Sequence, residues 1–69
     1  MKGNDFMNNY LVEVCFQPFC GGYLRRKYEV AAKDKSTAIQ LAYGYIRDTA
    51  AEVFNTIDGK YSCVFCLIL

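Results

Sequence analysis

The chain has 69 residues, with eight lysines and arginines against seven aspartates and glutamates and no histidine, for a net charge of +1. That length gives one domain whose core is only marginally large enough to stand alone, and that balance gives no global field to draw the chain onto nucleic acid or an anionic membrane. A composition 54% hydrophobic and 16% aromatic with 22% charged residues excludes a disordered chain.

Residues 1–9 are mostly polar and are not followed by an apolar segment of signal-peptide type, so they read as a flexible tail before a single domain at 10–69 in a cytoplasmic protein. Residues 10–17 alternate, with Tyr10, Val12, Val14 and Phe16 on one face and Leu11, Glu13, Cys15 and Gln17 on the other, which predicts a first strand. Pro18 and the Gly21-Gly22 pair break the pattern and predict a loop or hairpin connection, because proline cannot donate to a ladder and glycine permits positive φ. Residues 23–32 alternate again. Leu24, Arg26, Tyr28, Val30 and Ala32 share one face, expected to meet a helix, and Tyr23, Arg25, Lys27, Glu29 and Ala31 share the other.

A charged turn, Lys33-Asp34-Lys35, then leads to Ser36, which is expected to cap a helix by accepting a hydrogen bond from a free N–H of its first turn. At about 100° per residue, Leu41, Tyr45, Ala38, Thr49, Ala42, Ile46, Ile39, Ala50 and Tyr43 fall in one apolar arc, and the small Ala38 and Ala42 would let the helix lie close on a sheet. Gly44 falls on the polar side, at a cost of about 1 kcal/mol relative to alanine. Residues 52–57 predict a third strand with Val53 and Ile57 inward. Asp58-Gly59 then predicts a type I′ turn into a last strand over 60–69. That strand is apolar on both faces, Cys63, Phe65 and Leu67 one way and Val64, Cys66 and Ile68 the other. The pattern implies either a central position or a second, intermolecular layer. The expected fold is an α+β two-layer sandwich of order ββαββ, an antiparallel sheet with one amphipathic helix on one face. In the alternative, ββαβ, the helix continues through Arg47 to Phe54, because Ala50, Val53 and Phe54 extend its arc.

Catalytic chemistry has little to stand on. The histidine that usually serves as a general base at neutral pH is missing, and Gly21-Gly22 does not open a helix as a phosphate loop would, so the expectation is a non-enzymatic protein with no cofactor. Cys15, Cys20, Cys63 and Cys66 are the candidates for a zinc-stabilised small domain, but Cys63 and Cys66 have opposite parity in a continuous strand and should diverge, which favours buried thiols. The final Cys66-Leu67-Ile68-Leu69 has the letters of a prenylation box without the basic segment that accompanies one, and the apolar run 63–69 is far shorter than the roughly 20 residues of a membrane span, so no membrane contact is expected.

Surfaces remain. Tyr23, Arg25 and Lys27 share the outer face of the second strand, with Arg26 adjacent and Lys33 and Lys35 at its far end. Basic residues interleaved with tyrosines suit nucleic acid, charges for phosphate and rings for stacking. The competing reading is a charged strand that guards a sheet edge. An outer face with Leu11, Tyr23 and part of the last strand would instead be an apolar patch with a basic rim, the character of a protein interaction site. A homodimer through that face or through the last strand fits the same pattern.

The stretch EVAAKDKSTAIQLA, a strand end followed by a polar turn and a helix start, resembles small ββαββ proteins of phages and mobile elements, including some anti-CRISPR proteins. The resemblance covers residues 10–69 in topology. It implies an inhibitor that occupies a surface on a host protein or nucleoprotein complex, with Tyr23, Arg25, Arg26, Lys27, Lys33 and Lys35 as the contacting residues.

Overall fold

A computed structural model of the chain describes residues 6–69. Its elements are β1 (Asn8–Pro18), β2 (Leu24–Ala32), α1 (Lys35–Phe54) and β3 (Gly59–Ile68). Among the described residues the sheet has three strands in the order β2-β1-β3, both pairings antiparallel. The fold is therefore α+β, with one helix on one face of the sheet.

β1 is the central strand, and its alternating apolar set, Tyr10, Val12, Val14 and Phe16, is buried along its whole length beneath the helix. The turn into β2 depends on its two glycines. Gly21 and Gly22 hold φ of 110° and 88°, a region that side chains with a Cβ rarely enter, and the Gly21 amide closes the turn on the Pro18 carbonyl at 3.1 Å. β2 then presents the face expected of it, with Leu24, Val30 and Ala32 buried and Tyr28 half-buried, while Arg26 on the same side stays exposed.

α1 packs chiefly on β1 and β2. Ala38, Ala42, Ile46 and Ala50, spaced at i, i+4, i+8 and i+12, form its fully buried stripe. Three alanines in that stripe let the helix axis approach the sheet, and the larger side chains are displaced to its flanks. Tyr45 leans on the Tyr28 ring at 5.4 Å between centroids on the β2 side, and Tyr43 meets Tyr61 at 6.1 Å on the β3 side. Leu41, expected well inside the apolar arc, is pushed to the exposed margin for the same reason.

The structure corrects the four-strand expectation. Residues 52–57 do not form a strand, because α1 runs on to Phe54, whose ring meets Phe16 at 6.1 Å, and Asn55 ends the helix in the left-handed conformation at φ 55°. The order is ββαβ, the alternative with the longer helix. Asp58-Gly59 consequently joins no hairpin: Gly59 begins β3, which crosses back to pair with β1. The cap moves as well. Asp34, not Ser36, accepts from the Thr37 amide at 2.8 Å, since a carboxylate is the better acceptor at the positive end of a helix. That hydrogen bond holds the Asp34 carboxyl below its ordinary value.

Among the described residues β3 is not central but an edge, with no strand beside its apolar outer side. Of the expected tail at 1–9, residues 1–5 lie outside the described residues, while Asn8 and Asn9 already pair with Ala32 and Ala31 in the sheet.

Candidate docking face of the sheet

One face of the sheet carries α1 and the other carries no layer among the described residues. On the open face β1 contributes Leu11, Glu13 and Cys15, β2 contributes Arg25, Lys27 and Glu29, and β3 contributes Ser62, Phe65 and Leu67, as the register requires. At its centre sits Glu13, opposite Lys27 on one side and Phe65 on the other. It is only 7% exposed.

A carboxylate so covered needs a partner, because desolvation penalises its charged form. Arg25 supplies one. It stands opposite Cys15, one diagonal step along the ladder, and reaches across so that Nε donates to Glu13 Oε2 at 2.6 Å and Nη2 to Oε1 at 3.4 Å. The guanidinium fork fits the two oxygens, and the hydrogen bond and charge of Glu13 together hold Arg25 above its ordinary value. The pair removes a free negative charge from the middle of the face. On the β1 and β3 sides its neighbours are apolar, Leu11, Cys15 and Phe65 half-buried and Leu67 exposed, while the β2 side is charged, with Lys27 directly opposite.

The six basic and tyrosine residues singled out from the sequence do not form one patch. Tyr23, exposed just ahead of β2, lies within electrostatic reach of Arg25, and Lys27 is exposed further along the same face. Arg25 is committed to Glu13. Arg26 points to the helix side, opposite Val14, where its Nη1 donates to the Arg25 carbonyl at 2.9 Å. Lys33 and Lys35 stand beyond Ala32, the other end of β2, which is itself about 23 Å from Arg25 at roughly 3.3 Å per residue along the strand. Glu29 shares the face with Lys27, so the positive potential there is weak.

The cysteines are divided too. Cys15 is on the open face, Cys20 is exposed in the β1–β2 turn, and Cys63 and Cys66 pack against the core. The last two were expected to diverge, and the structure reverses this. The ladder slips between Glu13 and Val14, so Cys63 pairs with Val14 and Cys66 with Val12; Val64 is the extra residue of a bulge, and both thiols face inward. Burial, helped by the neighbouring Cys66, pushes the Cys63 thiol up. Its Sγ–H donates to the Phe65 carbonyl at 3.4 Å. Among the described residues no three cysteines, aspartates or glutamates converge as metal ligands would. Limited alkylation of the native chain is therefore expected to label Cys20 first and Cys63 last, in an order read by peptide mass spectrometry; faster labelling of Cys63 would contradict its placement.

A second hollow, of about 270 Å³, lies between α1 and β3 and is lined by Gln40, Tyr43, Gly44, Arg47 and Tyr61. Gly44 is its floor, where a Cβ would meet nothing within 4 Å. Its aromatic walls are half-buried, which pushes the phenols of Tyr43 and Tyr61 up.

No family model, curated protein or solved structure matches this chain. No helix among the described residues is long and apolar enough to cross a membrane.

Proposed function

We propose that this chain is a non-enzymatic binding protein that acts by laying the open face of its sheet on the surface of a host protein or a protein component of a nucleoprotein complex. In its specific form the proposal is an inhibitor, as the resemblance to phage and mobile-element proteins implies. The observation that carries it is the centre of the open face, where a buried Glu13 is neutralised by Arg25 and flanked on the β1 and β3 sides by Leu11, Cys15, Phe65 and Leu67. A face built to hold phosphates would leave its arginine available, and a solvated face would not cover a carboxylate. Tyr23 and Lys27 supply the polar rim.

Direct nucleic-acid binding is the competing reading, and it rests on Tyr23, Arg26, Lys27, Lys33 and Lys35. Two measurements separate them. With the native host extract, the chain is expected to capture a partner that Leu11→Asp together with Tyr23→Ala releases while circular dichroism is unchanged; undiminished capture removes the open face from the mechanism. Titration with random DNA and RNA at low salt is expected to show no binding. Strong binding that falls steeply as salt rises would replace the protein reading with the nucleic-acid one.

A further inference from the structure

The two edges of the sheet are treated in opposite ways. Along β2, Arg25, Arg26, Lys27 and Glu29 place charge on four of the first six residues, which discourages another strand from pairing there. Along β3, Lys60 is followed by nine residues, Tyr61 to Leu69, without a single charge. In an antiparallel ladder alternate residues of an edge strand turn both N–H and C=O outward, so the side of β3 away from β1 presents main-chain groups that no strand among the described residues pairs, framed by apolar side chains. Ile68 and Leu69 are 60% and 62% exposed, with Val64 and Leu67 also exposed. The Leu69 amide bonds the Asn9 carbonyl at 2.9 Å, so the ladder between β1 and β3 carries on one residue past the strand.

We propose that β3 pairs antiparallel with β3 of a second copy about a two-fold axis, joining two three-stranded sheets into one of six strands. An edge asks for an extended strand, and the question is which strand. A two-fold pairing opposes residue i to j and j to i, so any charge in the paired stretch would meet the same stretch of the copy. From Tyr61 to Leu69 there is none to conflict, and each apolar side chain meets another of its kind. A charged strand from another protein would have to set its charges among Val64, Phe65, Leu67 and Ile68. On the helix side, where α1 covers β1 and β2 more fully than β3, the half-buried Cys63 and Cys66 and the exposed Ile68 would gain the neighbours that one copy does not give them. Phe65 and Leu67 belong to the open face as well, but Val64, the bulge residue, and Ile68, opposite Tyr10, do not, so variants at those two positions test the dimer apart from the docking reading.

The test is light scattering of the full chain over a dilution series into the high micromolar range, with a thiol reductant present so that no disulfide through the exposed Cys20 can link two copies. The expected mass is twice 7.9 kDa at the upper end, falling about twofold on dilution or in Val64→Lys and Ile68→Lys, each of which puts a charge on the edge at an exposed position. Hydrogen exchange on the unaltered chain reads the same contact without any variant: the outward amides of β3 are expected to gain protection with concentration, while those of β2 do not. A mass of one chain at every concentration, a dimer that persists in both folded lysine variants, or β3 amides that exchange alike at all concentrations would each overturn the proposal. Pairing with a strand of another protein in place of a second copy would appear as the first of these.

Discussion

Phe16→Ala is expected to remove most of the stability of this domain. Phe16 has no exposed surface, its ring lies 4.7 Å from Tyr61 and 6.1 Å from Phe54 between centroids, and so it joins β1, β3 and the end of α1 at one point. Truncating a buried phenylalanine costs about 3–5 kcal/mol, and a core of this size rarely supplies more than that in total. Urea or thermal unfolding followed by circular dichroism, at one fixed chain concentration, should show the native baseline shortened or lost. Phe19→Ala is the control. That ring is 82% exposed in the β1–β2 turn, and its removal should change stability by no more than about 0.5 kcal/mol. Equal effects from the two variants would mean that Phe16 is not the junction described.

Among the described glycines, Gly59→Ala should meet the tightest surroundings. A Cβ at Gly59 would stand 2.6 Å from Phe16 Cε1 and 2.8 Å from Cζ, and closer still to the Gln17 carbonyl oxygen. Neither neighbour can give way easily, one being main chain of the central strand and the other a ring fixed by Tyr61 and Phe54. The expected loss is about 1–3 kcal/mol from overpacking, measured by urea unfolding. Combining Gly59→Ala with Phe16→Leu should give a loss smaller than the sum of the two single losses, because the shorter side chain vacates part of the space the methyl needs. Strict additivity would place the strain elsewhere.

Much of this fold could be read from residue order. β1 and β2 were legible as alternation, their inward faces were assigned correctly, and the helix was visible from its apolar arc. The end of that helix was ambiguous for a physical reason: Val53, Phe54 and Ile57 suit a strand as well as a helix, and only the Phe16–Phe54 contact decides between them. The bulge left no trace at all. Val64 is an ordinary strand residue with no glycine beside it, yet it reverses the faces of Cys63 and Val64 relative to Phe65 and Leu67, so that an expected divergence of thiols became a shared inward row. On the open face, the outward direction of Leu11 could be read from alternation, while Tyr23 falls just ahead of the paired part of β2. The fork between Glu13 and Arg25 could not be read, because the two residues are joined diagonally across a register that alternation alone does not fix. That missing pairing is also why Arg25 read as an available cation.

The position of β1 at the middle of the sheet has a consequence in time. Its pairing with β2 needs only the adjoining turn, but its pairing with β3 joins Tyr10 to Ile68, nearly the whole sequence apart. During synthesis, which delivers the chain from its N-terminal end, the hairpin and the helix can bury the alanine stripe of α1 while the far side of β1 is still open. The strand that fills that opening is the most apolar in the chain and among the last parts of this sequence to emerge. Until it docks, Val12, Val14 and Phe16 sit on an incomplete ladder, so closure of the sheet is the step at which this small protein is most exposed to capture by the wrong strand.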